Sequence, residues 1–325
     1  MVALGRAVFE DTALSRDGKV SCHSCHDPAH AFADAHARSA GIEGQLGTRN
    51  APSLVGIAGD SSFFWDGRRT RLDEAVLDPF TNPVELGLPS TDAVLERLRR
   101  EPATLAKFRA VFPQAKEVPT LAQVQQALSA FVRSLNTGTS PFDRALAENK
   151  PLPGQAEQGR SLFAGAAGCS RCHAIEPNAI GPGARFSDEQ FHHSGVGQTA
   201  IATRLPTLTH AMIEQHLGTD ALGPKLLSDP DWSALGRFVV SHKPADIGAF
   251  RTPSLRNVAV TAPYMHDGSI ATLSEAVDRE IYYHSLSSGR PVNLSQAERE
   301  SLVAFLETLT DDAFSQKATQ PSVRH

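Results

Sequence analysis

The sequence predicts a mainly α-helical protein made of two related domains, over residues 1–145 and 146–325. Three observations favour this fold class. Segments with helical periodicity outnumber convincing strands, a five-residue cysteine–histidine motif occurs twice, and the segments that flank the two motifs resemble each other. The chain of 325 residues is long enough to build a core of ordinary size in each domain.

Amphipathic helices are indicated where a polar residue precedes apolar residues at three- and four-residue spacing. Ser295 and Glu298 add the pattern of a capping box, in which each side chain caps the backbone N–H of the other residue. Glycine and proline interrupt the periodicity over 136–155, where we expect the domain boundary. The predicted helices lie at 91–100, 120–135, 274–283 and 295–309.

All four cysteines of the chain lie in two copies of the motif C-x-x-C-H. This motif is typical of covalent haem attachment, because two thiols form thioethers to the porphyrin and the adjacent imidazole binds the iron. A disulfide pair or a zinc site is the alternative, but zinc does not require a histidine directly after both cysteine pairs. We therefore expect two cytochrome c-like domains with two c-type haems, held by Cys22, Cys25 and His26 in the first half and by Cys169, Cys172 and His173 in the second.

The two halves also match outside the haem motifs. Pro-Ser-Leu occurs at 52–54 and at 253–255, and the same offset brings Trp-Asp-Gly at 65–67 onto His-Asp-Gly at 266–268 without a gap. A duplicated domain explains this match. Differences between equivalent positions then indicate how each half is specialised.

Composition and charge limit the partners and the location. The net charge of −5 and the lack of a long basic run argue against nucleic acid as a partner. No apolar stretch approaches the roughly 18 residues that suggest a membrane span, and the amino-terminal residues do not form a secretory signal. Because c-type haem is attached outside the bacterial cytoplasm, we expect a periplasmic protein whose signal peptide has been removed.

Two residues of the first half are candidates for redox chemistry. Glu85 follows two prolines in a loop, and its carboxylate near an open iron site is suited to act on peroxide as general base and then as general acid. A solvated loop glutamate is the alternative. Trp65 stands where the second half has His266, and an indole between two haems can relay electrons. Core packing is the alternative for this residue.

The second half continues from its shared segment into a predicted helix that contains Tyr282, Tyr283 and His284. A tyrosine or a histidine here can take the sixth position of the second iron, or these residues can simply pack. Helical spacing places Tyr283 beside the apolar face of this helix, whereas it places Tyr282 further from that face. We therefore favour Tyr283 as the ligand, with Tyr282 as the alternative.

The motifs of the chain match one known family, in that family's order. The chain resembles the bacterial dihaem cytochrome c peroxidase and MauG family, and the resemblance implies that the first haem reacts with hydrogen peroxide and the second transfers electrons. It also implies that His26 and His173 are the proximal ligands, that Glu85 is the distal acid–base and that Trp65 bridges the haems. Besides the haem motifs, the matching segments are 14–18, 49–53, 64–68, 82–85, 251–257 and 263–268.

The same resemblance implies a calcium ion between the two domains. Its protein ligands are expected to be Asn50 and the main-chain oxygens of Thr261 and Pro263, completed by water. Oxygen ligands of this kind suit a hard cation.

Two departures from the family pattern concern the first haem. Classical peroxidases block this iron with a histidine until the enzyme is reduced, whereas Ile42 stands at that position here and His30 and His36 fall out of register. We therefore expect a five-coordinate first iron at rest. Ala75 stands where the family often has glutamine, so the hydrogen bonding of this pocket is expected to differ.

A third departure concerns the second iron, which classical members bind through a methionine. Gap-free alignment puts Glu280 at that position, and Met265 lies in a motif where members vary. MauG-like members use a tyrosine from this helix, which agrees with the choice of Tyr283. An anionic oxygen ligand lowers the reduction potential, whereas methionine raises it.

The expected function is that of a periplasmic dihaem oxidoreductase that uses hydrogen peroxide to oxidise a protein partner. The missing histidine and methionine favour the MauG-like branch, in which tryptophan or tyrosine side chains of a protein are oxidised by long-range electron transfer. One alternative is a classical peroxidase that reduces peroxide with electrons from a small cytochrome c or cupredoxin. The other is a dihaem electron carrier without enzymatic activity.

Overall fold

The computed structural model describes residues 1–174 and 184–315, and it is mainly helical, as predicted. The described residues contain one small antiparallel sheet, in which β1 (Phe191–His193) pairs with β2 (Ala249–Arg251). The helices before residue 150 are α1 (Val2–Glu10), α2 (Leu72–Ala75), α3 (Asp78–Thr81), α4 (Thr91–Arg100), α5 (Pro102–Val111), α6 (Leu121–Arg133) and α7 (Pro141–Ala147). Those after it are α8 (Gln155–Ala164), α9 (Gln198–Ile201), α10 (Leu205–Gln215), α11 (Thr219–Ser228), α12 (Pro230–Ala234), α13 (Phe238–Ser241), α14 (Leu273–Ser288), α15 (Gln296–Glu307) and α16 (Asp312–Ser315).

The four predicted helices are confirmed as α4, α6, α14 and α15. The predicted capping box starts α15, where the N–H of Ser295 donates to Glu298 at 2.7 Å and the N–H of Glu298 donates to Ser295 Oγ at 3.3 Å. A capping box also begins α6 and α14. These side chains satisfy backbone N–H groups that have no partner within the helix, so local signals define where the helices begin.

Each half is organised around one crossing of two helices, α1 on α6 in the first half and α8 on α15 in the second. A glycine lies at each crossing. A Cβ on Gly5 would overlap with the carbonyl oxygen of Ala127, and a Cβ on Gly159 would overlap with that of Ser301. The repeated Gly-Arg dipeptide that opens each half therefore marks the point where two backbones touch.

The gap-free match between the halves extends to the backbone of the Trp-Asp-Gly and His-Asp-Gly turns. Isolated antiparallel bridges close the segments 63–69 and 264–270. Phe64 and Met265, each the second residue of its segment, both have a left-handed φ, of 67° and 73° respectively. Trp65 and His266 therefore occupy equivalent places in two copies of one turn.

Most buried apolar side chains form clusters that belong largely to one half or the other, although Phe142, just before the predicted boundary, packs with the second half, and a small cluster of Ala31, Val55 and Val260 joins the two halves. One cluster draws on residues 4–131 and another on residues 142–309. A third lies within 201–239, in the helices α9 to α13 that are inserted in the second half. The boundary itself stays a prediction. Within the described ranges, no helix is both long and apolar enough to cross a membrane.

Replacing Gly5 or Gly159 by alanine should lower the free energy of unfolding by about 1–3 kcal/mol, because the methyl group overlaps with the crossing backbone. Urea denaturation of the haem-loaded protein, followed by far-UV circular dichroism, measures the change. Gly218→Ala is the matched control, since a Cβ there meets no atom within 4 Å, and its effect should stay within about 0.5 kcal/mol. Equal effects at all three positions would contradict the proposed contact.

Candidate active site

Each C-x-x-C-H motif folds into a short 3-10 turn, Cys22–Ser24 in the first half and Cys169–Arg171 in the second. The backbone N–H of the histidine donates to the carbonyl of the first cysteine, at 3.0 Å for His26 and 2.9 Å for His173. Both thiols and the imidazole of each motif thereby line one cavity. The four cysteines form no disulfide and are available for thioethers.

One hydrogen bond orients each of these two histidines. Nδ1 of His26 lies 2.9 Å from the carbonyl oxygen of Phe32, and Nδ1 of His173 lies 2.7 Å from that of Phe186. A carbonyl oxygen can only accept, so Nδ1 carries the proton and Nε2 keeps a lone pair for a metal. Burial lowers the pKa of both imidazoles, which also favours the neutral, metal-binding form.

The two cavities fit one covalently bound haem each. Their volumes are about 210 Å³ in the first half and about 280 Å³ in the second, and their walls are mainly apolar. In each cavity a cysteine pair and a correctly oriented histidine lie on the same wall, which is the donor set that c-type haem requires. The haems and their iron ligands stay predictions at the level of individual residues.

Ile42 does not line the first cavity but is fully buried in the core of the first half. Its backbone N–H donates to the carbonyl of Glu85 at 3.0 Å. His30 and His36 also lie off the cavity wall, and each pairs with a neighbouring aspartate. Among the described residues, His26 is therefore the one histidine on the wall of this cavity.

Glu85 lines the first cavity and is held there by its backbone, whose N–H donates to the carbonyl of Asn82 at 3.1 Å. Burial raises the pKa of Glu85 to about 7; the positive charge of Arg68 opposes this shift and the negative charge of Asp78 adds to it. Ala75 lines the same cavity and contributes no hydrogen-bonding side chain where the family often has glutamine. The acid and the carboxylate forms of Glu85 are therefore both available near neutral pH.

A buried ionic network beside the first cavity was not foreseen from the sequence. Asp66 is fully buried and accepts hydrogen bonds from Arg49 and, at 3.0 Å, from Arg68. Burial by itself would raise the pKa of Asp66, but the charges of these two arginines outweigh it and hold the pKa below its ordinary value. Arg49 also donates to Ser233 Oγ at 2.9 Å, so the network joins the first half to the inserted helices of the second.

Trp65 lines both cavities. Its indole N–H donates to the carbonyl of Asn50, and its own carbonyl accepts from the backbone N–H of Arg251, both at 2.9 Å. Arg251 also lines both cavities and donates to Asp60 at 2.8 Å, an ion pair that the sequence analysis missed. The indole is thus fixed in the wall between the two cavities, while its role as a bridge stays a prediction.

His266 supplies the second cavity with a buried imidazole. Its ring stacks on Phe250 with 3.6 Å between the ring centroids. Burial lowers the pKa of His266 to about 3, so the imidazole is neutral at physiological pH. The equivalent turns of the two halves therefore supply an indole to the shared wall and a neutral imidazole to the second cavity.

Helix α14 forms one wall of the second cavity, and Tyr283 is not part of that wall. Its ring packs against Gly195, and its hydroxyl donates to the carbonyl of Gly195 at 3.4 Å. Tyr282 is 57% exposed. The polar side chains that α14 gives to the cavity wall are instead Glu280 and His284. Glu280 is solvent-exposed by surface area, yet desolvation by the surrounding protein raises the pKa of Glu280 to about 6.

The three predicted calcium ligands come from two segments of the chain that are distant in sequence. Asn50, Thr261 and Pro263 all lie on the wall of the second cavity. Nδ2 of Asn50 donates to the carbonyl of His36 at 3.0 Å, which leaves Oδ1 as the side-chain atom suited to a cation. The calcium ion itself stays a prediction.

The chain is similar to known proteins along most of its length. A family model described as di-haem cytochrome c peroxidase matches residues 1–151. The methylamine utilization protein MauG of Methylorubrum extorquens is 36% identical over 315 residues, which cover 95% of this chain and 77% of that protein. The cytochrome-c peroxidase IdrP2 of Denitromonas iodatirespirans is 34% identical, with 96% and 82% covered. The relatives therefore include both MauG proteins and peroxidases.

A solved structure supports the same fold. The crystal structure of a MauG-like protein associated with microbial copper homeostasis matches with a TM-score of 0.77 and 28% sequence identity. The match covers 99% of this chain and 93% of that one. The similarity therefore extends over the described residues of both halves rather than over one haem motif alone.

Asp66→Asn should lower the free energy of unfolding by about 3–5 kcal/mol, because two buried guanidinium groups then lose their counter-charge. Glu10→Gln is the control: it removes a surface ion pair with Arg6 and should cost less than about 1 kcal/mol. Urea denaturation of the haem-loaded variants compares the two. A loss in the Asp66 variant no larger than in the control would show that the network does not stabilise the fold.

Proposed function

The chain belongs to the di-haem cytochrome c peroxidase and MauG family, and from this premise we propose that it is a periplasmic oxidoreductase that uses hydrogen peroxide to oxidise a protein partner. Two c-type haems, when bound, supply the iron and the redox capacity. The observation that carries the proposal is the shared cavity of Glu85 and His26, in which a glutamate with a pKa of about 7 is available for proton transfer.

Glu85 is the residue that moves the proton. As a carboxylate it accepts a proton from hydrogen peroxide, and as an acid it donates that proton to the departing oxygen, which leaves as water. A pKa of about 7 suits both steps, because neither form is rare near neutral pH. Arg68 lies on the same cavity wall, and its positive charge stabilises negative charge that develops on the peroxide.

The MauG-like branch is supported by the absence of a blocking side chain among the described residues of the first cavity. Ile42 is buried in the core, so peroxide can bind without a preceding reductive step. Trp65, held between the cavities, is suited to carry electrons from the second site to the first. In this branch the oxidising equivalents reach tryptophan or tyrosine side chains of a protein docked on the surface.

A classical peroxidase is the second candidate, because cytochrome c peroxidases are among the relatives. It predicts rapid steady-state consumption of peroxide with a reduced small cytochrome c or cupredoxin as the donor. The MauG-like function predicts slow turnover with such donors and a spectrum that stays oxidised after one equivalent of peroxide. The third possibility, a simple electron carrier, predicts no spectral response to peroxide.

Glu85→Gln should slow the reaction with hydrogen peroxide by about 10²–10⁴-fold, because an amide cannot exchange the proton. In the unmodified protein the second-order rate constant should rise as the pH increases through about 7, since the carboxylate is the base and exists above the pKa of Glu85. Stopped-flow spectroscopy of the haem-loaded protein measures both effects.

The exposed Glu43 provides the control for this experiment, because Glu43→Gln lies outside the cavity and should leave the rate unchanged. A Glu85 variant that reacts as fast as the control would exclude the carboxylate as the proton carrier. A Glu85 variant that loses rate but keeps the pH dependence would assign the titration to another group.

Trp65→Phe should slow the response of the second haem to peroxide while the first haem reacts at an unchanged rate. Phenylalanine keeps a ring between the cavities, but it lacks the indole N–H that donates to Asn50 and is much harder to oxidise. Trp232→Phe is the control, because this tryptophan is buried in the third cluster and lines neither cavity. Equal behaviour of the two variants in rapid-mixing spectra would exclude Trp65 as the bridge.

A further inference from the structure

One stripe of helix α14 faces the second cavity, and it carries a single acidic residue. The stripe follows the spacing of a helix face. Glu280 is in its middle, with apolar residues on both sides and a histidine at its end. The residues of the stripe are Leu273, Ala276, Val277, Glu280, Ile281 and His284.

The duplicated first half supports this orientation of Glu280. The gap-free match of the two halves aligns Pro79 with Glu280, and Pro79 lines the first cavity just as Glu280 lines the second. The same position of the repeat therefore faces the haem cavity in both halves. In the first half it offers no donor atom, whereas in the second half it offers a carboxylate.

Glu280 lines the same cavity as the two cysteines and the histidine of the second attachment motif. Glu85 in the same way lines the cavity of the first motif. Each cavity therefore contains one glutamate beside its cysteine pair. The two glutamates come from different positions of the repeat.

The other candidate ligands on α14 are less well placed. The hydroxyl of Tyr283 is engaged with the carbonyl of Gly195, and the guanidinium of Arg279 lies 4.5 Å from the centre of its ring. Tyr282 is largely exposed. His284 also lines the cavity, and its Nε2 packs against Gly168, directly before the first cysteine.

We propose that Glu280, on the wall of the cavity that also holds His173, would supply an oxygen ligand to the iron of the second haem. This inference rests on the second haem site of the proposed function and replaces the tyrosine in it. The consequence is chemical: a carboxylate ligand stabilises ferric iron and lowers the reduction potential of that haem. A second haem of low potential gives up electrons readily to the first site.

Electron paramagnetic resonance of the oxidised protein and a spectroelectrochemical titration test this assignment. Glu280→Gln should change the ferric signal of one haem and raise the midpoint potential of that haem, while the signal of the other stays as it was. Glu280→Met should introduce the near-infrared absorption band of methionine-bound ferric haem, because the new side chain occupies the ligand position. Tyr283→Phe should change neither signal.

Asp278→Asn is the matched control, because Asp278 is an exposed acid on the same helix and pairs with Arg299 on the surface. A spectral change in Tyr283→Phe with none in Glu280→Gln would overturn the inference in favour of tyrosine. If the ferric signal and the midpoint potential of the second haem were unchanged in Glu280→Gln, Glu280→Met and Tyr283→Phe, the inference would be overturned in favour of another ligand. The pyridine haemochrome assay of haem content distinguishes failure of the ligand assignment from failure of the proposed function. A protein with only one haem would refute the proposed function itself.

Discussion

The arrangement of the two cavities depends on the buried ion pairs that Asp66 forms with two arginines. A buried charge is tolerated only when it is paired, and Arg49 and Arg68 supply the pairing. Arg49 also donates a hydrogen bond to Ser233 Oγ, and Arg237 donates one to the main-chain carbonyl oxygen of Asp66 at 2.9 Å. Residues from both halves thus converge on the turn that carries the shared tryptophan. The position of that indole between the cavities is therefore set by electrostatics as well as by packing.

The duplicated scaffold explains how one chain provides two different haem environments. Equivalent turns carry Trp65 in the first half and His266 in the second, and equivalent positions further on carry Pro79 and Glu280. The first half forms the two short helices α2 and α3 before the loop of Glu85, whereas the second half continues as the single long helix α14. The difference in chemistry therefore arises from a few side chains and from the backbone that follows the shared turn.

Local signals account for what the sequence predicts well. Periodicity and capping residues define α4, α6, α14 and α15, and the spacing within each C-x-x-C-H motif defines its turn. The pairing of Asp66 with Arg49 joins separate segments and has no local signature. Helical spacing shows which residues share a face but not which face meets the cavity. For this reason the sequence favoured Tyr283, whereas the observed wall includes Glu280 and His284.

The two cavity glutamates differ in the charges around them, and this difference fits their separate roles. Burial raises the pKa of both, and an arginine opposes the shift in each case, Arg68 for Glu85 and Arg279 for Glu280. The negative charge of Asp78 adds to the shift of Glu85, whereas His192 further opposes that of Glu280. Glu85 consequently holds its proton up to about pH 7 and Glu280 only to about pH 6. A group that must both take and release a proton works best when its pKa is near the ambient pH. A group that stabilises ferric iron works best as an anion, and Glu280, with a pKa of about 6, is still mainly in that form at pH 7 although burial disfavours it.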